Sequence, residues 1–401
     1  MTAMEKNNKT LNVPNLRFPE FSGEWEKYSL GEVGSTIIGL TYSPSDVVKD
    51  GGTIVLRSSN IQDGEIDYKD LIFVNKKIKD TLYTRPNDLL VCARNGSARL
   101  IGKNALIAET DSGHTFGAFM MIYRSEDNQF IHQLLSTKRY YTQVGENLGA
   151  RINQITTSDM NSFEFYFPKS KSEKDKIAHL LGLINLRIST QKKIIEDLKK
   201  LKDAICNLNF TSGSVLKLGN AGKFVRGLTY SASDVIDYTI GTAVMRSNNI
   251  SNGDPVNFEE LVWVNKTPNH EQILRSGDIV ICMANGSSPL VGKASYYVDC
   301  GIESATVGAF CGIYRSDNPL TKWLFQSKHY KKHIQRCIQG GNGAIANIYP
   351  EDILAISFNI PCGYERVLNI LNSLEEKYLL EQKLLSRYLG VKSYLLSRLF
   401  I

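Results

Sequence analysis

The chain has 401 residues, of which 42% are hydrophobic and 22% are charged, a composition typical of a soluble globular protein. A chain of this length is expected to form two or three domains, each large enough to bury its own core. Its formal net charge of +6 permits a polyanionic partner but does not require one. The sequence has no run of 18 apolar residues, and residues 1–12 are polar, so we expect neither a membrane span nor a secretory signal.

The seven cysteines are odd in number and form no C-x-x-C pair. This usage is typical of a reducing compartment and argues against a disulfide framework or a zinc cluster. Cys92 and Cys282 lie inside apolar runs, so we expect both thiols to be buried. The sequence therefore predicts a cytoplasmic protein.

The chain contains one internal repeat. The copies are offset by 188 residues at Gly39 and Gly227 and by 191 residues at Gly117 and Gly308. A single period that covers nearly half the chain indicates a duplicated domain rather than a solenoid. The matched segments are GLTYSPSDV (39–47) and GLTYSASDV (227–235), VLRSSNI (55–61) and VMRSNNI (244–250), LIFVNK (71–76) and LVWVNK (261–266), and GAFMMIYRS (117–125) and GAFCGIYRS (308–316).

Each copy is rich in short β-type runs that Gly, Asn, Asp and Ser separate, and each ends on a strand-like run before a proline. We therefore predict an α+β fold with a mixed sheet and a few helices in each copy. The predicted strands of the first copy span 53–56, 71–74, 89–92, 119–123 and 163–168. One helix is predicted at 129–144, with a counterpart at 320–338.

A charged, proline-free segment follows each copy and predicts a long helix. Between residues 172 and 208 apolar residues recur close to a heptad repeat, with Ser172 as the predicted N-cap and Gln191 on the apolar seam. The second segment contains Gly390, which is expected to weaken the helix by roughly 1 kcal/mol relative to Ala. The two helices either cover separate cores or, as we prefer, pack together as an antiparallel coiled coil that holds the domains apart. The predicted order is a domain at 1–168, a helix at 169–208, a domain at 209–361 and a helix at 362–401.

Several catalytic motifs are absent or incomplete. The chain has no Pro-Pro pair, so the [D/N/S]-P-P-[Y/F] loop of amino-methyltransferases is missing, and no G-x-G-x-x-G opens a strand–helix unit. GSARLIGK (96–103) and GSSPLVGK (286–293) resemble a Walker A loop, but five residues separate the glycines and no Ser or Thr follows the lysine. We interpret both segments as turns into β-strands.

Two possible metal-binding patterns are not shared by the copies. His329 and His333 have the i, i+4 spacing of half a metal site, whereas Arg139 and Gln143 occupy those positions in the first copy. The tripeptide 67–69 could be half of a nuclease motif, but its counterpart at 257–259 lacks the lysine. The sequence therefore predicts neither a metal site nor a catalytic residue on this chain.

The loops instead offer polar and basic side chains close to aromatic rings. Arg and Asn read guanine and adenine edges, while Lys and Ser suit phosphate. Most of these side chain types recur at matched positions, so we predict DNA binding; the alternative is that they are shared structural residues, and that Asn95 and Gly96 form a hairpin turn. The candidates are Tyr42, Ser43, Arg57, Ser58, Asn60, Arg94, Asn95, Ser97, Arg99 and Lys103 in the first copy, and Tyr230, Ser231, Arg246, Ser247, Asn248, Asn249, Asn285, Ser287 and Lys293 in the second.

The order of these features resembles the specificity subunits of type I restriction–modification systems. The resemblance covers essentially the whole chain, including the duplication and the long helix after each domain. It rests on the segments VPNLRFPEFSGEWEKYSLGEV (13–33), SEKDKIAHLLGLINLRISTQKKIIEDLKKLK (172–202), GARINQITTSDMNSFEFYFP (149–168) and GAIANIYPEDILAISFNIP (343–361).

The resemblance implies a non-catalytic DNA-binding subunit. Each of two target recognition domains would read one half of a bipartite site in double-stranded DNA, and the helices would set the gap. Two modification (methyltransferase) subunits would supply S-adenosylmethionine, and two restriction (translocase and endonuclease) subunits would supply ATP and Mg²⁺, with no cofactor on this chain. The alternatives are a stand-alone nuclease with two recognition lobes and an adaptor that pairs through its helices without DNA.

The similarity of the two copies carries a further expectation about the target. Two similar domains that face opposite DNA strands favour half-sites that are partly inverted copies of each other. We expect this symmetry to be broken where the copies differ, at Arg94 against Ala284, Ala98-Arg99 against Ser288-Pro289, and Gln154-Ile155 against Ile348-Tyr349.

Overall fold

The computed structural model describes residues 11–148, 153–210, 212–237, 240–339 and 345–401, so the first residues of the domain-ending segments 149–168 and 343–361 lie outside the described part. The chain divides into two compact units. Unit 1 consists of residues 1–193 and 383–401, and unit 2 of residues 194–382.

Unit 1 is built mainly from short strands. Its strands are β1 (Glu26–Ser29), β2 (Ser35–Ile38), β3 (Val47–Val48), β4 (Thr53–Leu56), β5 (Ile61–Gln62), β6 (Glu65–Ile66), β7 (Phe73–Val74), β8 (Leu89–Cys92), β9 (Asn104–Leu106), β10 (Thr115–Phe116), β11 (Met120–Arg124) and β12 (Glu164–Phe167). Its helices are α1 (Leu30–Val33), α2 (Asn128–Leu134), α3 (Lys138–Asn147), α4 (Thr157–Ser162), the first part of α5 (Lys171–Asn209) and the last part of α10 (Tyr364–Leu399).

Two four-stranded sheets form the body of unit 1. The antiparallel sheet has the order β2-β11-β8-β9, and its central strand pairs Met121 with Ile38 on one side and with Val91 on the other. The mixed sheet has the order β10-β4-β7-β3, in which β10 and β4 run parallel. Strand β8 is buried along its whole length, which explains its uninterrupted apolar sequence. The core includes Trp25 and Phe130, whose rings meet edge to face.

Unit 2 repeats this arrangement. Its strands are β13 (Ser214–Lys217), β14 (Lys223–Arg226), β15 (Val235–Ile236), β16 (Thr242–Met245), β17 (Val262–Val264), β18 (Ile279–Cys282), β19 (Ala284–Asn285), β20 (Ala294–Tyr296), β21 (Ala305–Val307), β22 (Cys311–Arg315), β23 (Ala346–Asn347) and β24 (Ser357–Ile360). Its helices are the last part of α5, α6 (Leu218–Ala221), α7 (Thr321–Leu324), α8 (Lys328–Cys337), α9 (Pro350–Leu354) and the first part of α10.

The sheets of unit 2 have the same connectivity as those of unit 1. The antiparallel sheet has the order β14-β22-β18-β20, with Ile313 paired to Val225 and to Val280. The mixed sheet has the order β15-β17-β16-β21, again with one parallel pair, β16 and β21. The predicted fold class, two duplicated α+β domains with long helices, is confirmed, and Cys92 and Cys282 are buried as expected.

The helix predicted at 129–144 and its counterpart at 320–338 are wrong as single helices. Each is two helices, because Thr137 and Ser327 start a new helix. The Thr137 hydroxyl accepts a hydrogen bond from the Tyr140 amide at 3.4 Å, and the Ser327 hydroxyl accepts one from the Tyr330 amide at 3.2 Å. A side-chain acceptor at the N-cap satisfies an amide that lacks a partner in the first turn, so the chain restarts rather than continues its helix.

The ends of the long helices also differ from expectation. Helix α5 begins at Lys171, and the Ser170 hydroxyl accepts from the Glu173 amide at 3.4 Å, so Ser172 lies inside the first turn and is not the N-cap. Helix α10 continues through Gly390 without a break. A Cβ at that glycine would meet no atom within 4 Å, so the helix carries only the intrinsic cost of glycine there.

The two long helices contact each other within each unit. In unit 1, Arg187 of α5 donates from Nε to the Tyr388 hydroxyl of α10 at 3.1 Å. In unit 2, Lys202 of α5 pairs with Glu375 of α10 at 2.7 Å. These contacts inside each unit agree with the predicted pairing of the two helices. Within the described ranges, no helix combines the length and apolar character needed to cross a bilayer.

Candidate DNA-recognition surface

Four loop segments of unit 1 meet at one edge of its sheets. Leu40 forms a parallel bridge with Gly117, whose amide donates to the Leu56 carbonyl at 3.0 Å. The amides of Ala93 and Arg94 both donate to the carbonyl of Phe119, at 2.9 and 3.0 Å. We call the surface that these contacts assemble the rim of unit 1; it comprises residues 41–46, 57–60, 94–99 and 117–119.

Unit 2 forms a matching rim through the same backbone contacts. Leu228 bridges Gly308, whose amide donates to the Met245 carbonyl at 2.9 Å. The amides of Met283 and Ala284 donate to the Phe310 carbonyl at 2.8 and 3.1 Å. The rim of unit 2 comprises residues 229–234, 246–249, 284–289 and 308–310.

The first rim segment is held by a serine and an aspartate. Ser43 donates from its amide and its hydroxyl to Asp46 Oδ2 at 2.8 and 2.9 Å, and Ser231 does the same to Asp234 at 2.7 and 2.8 Å. Both hydrogen bonds lower the pKa of the aspartate below its usual value, and the one from the serine amide has the larger effect. Ser43 and Ser231 thus shape the loop and remain on the surface, next to the half-buried Tyr42 and Tyr230.

Asn60 and Asn249 are corrections to the predicted DNA-binding set. Both are fully buried. Asn60 accepts from the Arg57 amide at 2.9 Å and donates to the carbonyls of Asp67 and Asp70 at 3.0 and 2.9 Å. Asn249 makes the same three contacts in unit 2, at 2.9, 2.9 and 2.7 Å. A duplex could not reach these amides without opening the turn, so both residues are structural.

Asn95 and Asn285 join two rim segments. Asn95 Nδ2 donates to the Ser58 hydroxyl at 2.9 Å, and its Oδ1 accepts from the Ser97 amide at 3.0 Å. In unit 2, Asn285 donates to the Ser247 hydroxyl at 3.0 Å and accepts from the Ser287 amide at 2.9 Å. The asparagine therefore forms an Asx turn rather than the hairpin turn that the alternative interpretation expected, and it also connects this turn to the 57–60 turn and its counterpart.

Arg57 and Arg246 occupy matched positions but differ in their surroundings. Arg57 Nη2 pairs with Asp70 Oδ2 at 2.8 Å, and its Nε is buried without a hydrogen-bond partner among the described residues. Arg246 is exposed. The exposed Asn248 lies two residues further along the rim of unit 2. An ion pair at the surface is weak, so Asp70 holds Arg57 in place without preventing its exchange for a phosphate.

The Walker-like segments are turns that lead into strands, as expected. In unit 1 a single 3₁₀ turn, which includes the exposed Arg99, precedes Gly102 at φ +80°, and Lys103 leads into β9. The Cys92 amide donates to the Lys103 carbonyl at 2.8 Å, and the Cys282 amide donates to that of Lys293 at 2.9 Å. Both lysines are half-buried beside their rims.

Two aromatic residues of the rims were missed by sequence reasoning. Phe119 and Phe310 expose 57% and 64% of their surface at the matched turn. The guanidinium of Arg94 lies over the Phe119 ring, 5.0 Å from its centroid. The repeated Gly-Ala-Phe tripeptide was the available signal, but an apolar residue before an apolar run indicates a strand rather than an exposed turn.

The sequence comparison of Gln154-Ile155 with Ile348-Tyr349 is wrong by one position. Arg94 bridges Gln154, whereas Ala284 pairs with Asn347. The Ile155 amide donates to Ala93, and the Ile348 amide donates to Met283, both at 2.9 Å. Gln154 therefore corresponds to Asn347 and not to Ile348, and the segment that contains this residue lies directly beside the rim in each unit.

The duplicated fold and rim agree with comparisons to known proteins. Residues 22–200, which cover most of unit 1, match the family model described as the type I restriction modification DNA specificity domain. The chain is similar to the StySPI type I restriction enzyme specificity subunit of Salmonella potsdam, with 23% identity over 69% of this chain and 65% of that protein. It is also similar to the EcoKI specificity subunit of Escherichia coli K12, with 24% identity over 67% of this chain and 63% of that protein.

These matches agree with the resemblance predicted from the sequence: the chain is similar to specificity subunits of type I restriction–modification systems, and residues 22–200 match the DNA specificity domain of that family. It spans somewhat less than two-thirds of the length of these curated relatives. Its fold is similar to the crystal structure of a type I restriction–modification S subunit from M. genitalium. The TM-score is 0.59 at 16% identity, over 97% of this chain and 99% of that one.

Proposed function

We propose that the chain recognises a bipartite sequence in double-stranded DNA, with unit 1 contacting one half and unit 2 the other. The observation that carries this proposal is the rim, which the chain builds twice with the same backbone contacts and presents with polar, basic and aromatic side chains. The match of residues 22–200 to the type I DNA specificity domain and the net charge of +6 support the same function. The comparisons give no support to a stand-alone nuclease.

We also propose that the long helices set the gap between the half-sites. Helix α5 has 39 residues and contributes to both units. At a rise of 1.5 Å per residue it is about 58 Å long, or roughly 17 base pairs at 3.4 Å each. A continuous helix of this length is stiff enough to act as a spacer.

The proposed partners are two modification (methyltransferase) subunits and two restriction (translocase and endonuclease) subunits in the cytoplasm. S-adenosylmethionine, ATP and Mg²⁺ would bind to those subunits, and this chain would supply no catalytic residue. Exposed apolar side chains on the long helices support a docking role, because large exposed apolar groups mark interaction surfaces. They include Leu183 and Leu186 in unit 1 and Leu201, Leu208 and Leu380 in unit 2.

Two assays test the proposal. The purified chain with S-adenosylmethionine and DNA should transfer no methyl group, and addition of its modification subunits should give adenine methylation at a bipartite motif. Robust transfer by the chain alone would contradict the non-catalytic assignment. DNA affinity should fall linearly with the logarithm of salt concentration, because each phosphate contact releases counterions. Affinity that does not change with salt would instead favour an adaptor without DNA.

A further inference from the structure

The rims differ most clearly beside their exposed phenylalanines. Phe119 and Phe310 lie at the same turn and present most of their surface outward. Their backbones are fixed alike, because two consecutive amides donate to each carbonyl. The second of those amides belongs to Arg94 in unit 1 and to Ala284 in unit 2. Unit 1 thus offers an aromatic ring covered by a guanidinium, whereas unit 2 has alanine in place of that arginine.

Arg94 is suited to a direct contact. Its side chain is exposed and lies over the Phe119 ring, and no carboxylate in the described part of the chain pairs with it. Arg57 on the same rim differs, since Asp70 occupies its Nη2. Stacking on an aromatic face leaves the planar edge of a guanidinium, with its hydrogen-bond donors, pointing outward. Such an edge matches the O6 and N7 acceptors of guanine in the major groove.

Phe310 is suited to a different base. Its ring and the Ala284 methyl group bring no hydrogen-bond donor to this position of the rim. Apolar side chains, phenylalanine among them, contact the 5-methyl group of thymine in the major groove. The same backbone turn would therefore present a donor edge in one unit and an apolar surface in the other.

We propose that these paired positions determine specificity: Arg94, held by Phe119, contacts a guanine in the half-site of unit 1, and Phe310 beside Ala284 contacts a thymine in the half-site of unit 2. This inference rests on the proposed DNA recognition and extends it to a base class at one position of each half-site. The residue at position 94 or 284 then selects the base. In unit 1 the phenylalanine positions the arginine that contacts the base, and in unit 2 the phenylalanine contacts the base itself.

The test exchanges the two residues in the full chain, assembled with its modification subunits. Duplexes with randomised positions are selected by the wild type, Arg94→Ala and Ala284→Arg, and base frequencies are compared. Arg94→Ala should reduce a guanine preference in one half-site by roughly 5- to 150-fold and leave the other half-site unchanged. Ala284→Arg should create a guanine preference in the other half-site. Arg85→Ala, which removes the same charge from an exposed residue of unit 1 outside the rim, should leave the base preference at the Arg94 position intact.

The phenylalanines are tested on the selected sequence. Replacing the relevant thymine with deoxyuridine removes only the 5-methyl group, so it should weaken wild-type binding but not binding of Phe310→Ala. Phe119→Leu should reduce the guanine preference while Arg94 is still present. Unchanged base frequencies in Arg94→Ala, or equal weakening on all sequences, would overturn the inference. If the wild-type complex selects no sequence at all, the proposed DNA recognition itself fails.

Discussion

A buried ion pair joins the two long helices in unit 2, and its removal gives a specific stability prediction. Lys202 of α5 and Glu375 of α10 approach to 2.7 Å, and their side chains are only 2% and 4% exposed. The Tyr296 hydroxyl also donates to Glu375, and the Lys202 ammonium lies 4.6 Å from the centroid of the Tyr378 ring. The two charged groups are therefore stabilised by contacts with protein atoms and not by hydration.

Replacing Lys202 with Met should destabilise unit 2 by about 3–5 kcal/mol, because it leaves the Glu375 carboxylate buried with only a hydroxyl donor. Replacing both residues, Lys202→Met with Glu375→Leu, should recover most of this loss. Two apolar side chains of similar volume need no partner, and such replacements of buried pairs are often neutral or stabilising.

Lys200 provides the matched control. It lies on the same helix and pairs with Glu196 at 2.8 Å, but its side chain is 67% exposed. Lys200→Met should therefore change stability by no more than about 0.5 kcal/mol. Denaturant unfolding can be followed by the fluorescence of Trp323, whose ring lies 5.7 Å from the Lys202 ammonium. If Lys202→Met costs no more than Lys200→Met, the pair does not hold the helices; if the double variant is as unstable as the single one, lost packing explains the effect.

Three further predictions concern the rim and the helix. Asn249→Ala should lower the free energy of unfolding of unit 2 by about 2 kcal/mol or more, because it leaves buried backbone groups unpaired. The control Asn248→Ala, at the exposed neighbour, should change that free energy by less than about 0.5 kcal/mol. Arg57→Ala should weaken binding to all sequences alike and reduce the salt slope by about one, because Asp70 already occupies part of the guanidinium; relaxed specificity at one base would contradict this. Insertion of seven residues after Lys199 adds about 10 Å of helix and should lengthen the gap in the methylated motif by about three base pairs with both half-sites unchanged. An unchanged gap would refute the spacer.

The parts of the fold that depend on local pattern could be predicted from the sequence. The repeat, strand β8 and the two long helices all follow from periodicity and apolar runs. The break between α2 and α3 could not, because Thr137 stands inside an otherwise helical pattern and only its contact with the Tyr140 amide shows that a helix begins there. Ser170 and Ser172 are chemically equivalent as N-caps, so the sequence could not decide between them.

The sequence indicated which types of side chain the candidate site contains, but not which individual residues are exposed there. Polar loops at matched positions did identify the rims. The burial of Asn60, however, depends on the 67–70 turn that folds over it, and no local pattern reports such a contact. Phe119 was assigned to a strand because its apolar neighbours continue the pattern, although the strand begins one residue later, at Met120.

The shared residues of the two rims bear on the expected symmetry of the target. Asn60 and Asn249 are buried, and Asn95 and Asn285 hydrogen-bond to a neighbouring rim segment. These residues recur because the two units share a backbone structure, and their recurrence does not indicate that the units contact the same base. The residues that point outward include those that differ, with Arg94 against Ala284 the clearest case. Similar loops are therefore weaker grounds for inverted half-sites than the sequence suggested. We still predict inverted half-sites only where matched residues reach the surface. Each such pair of residues predicts one shared contact and not the sequence of a whole half-site.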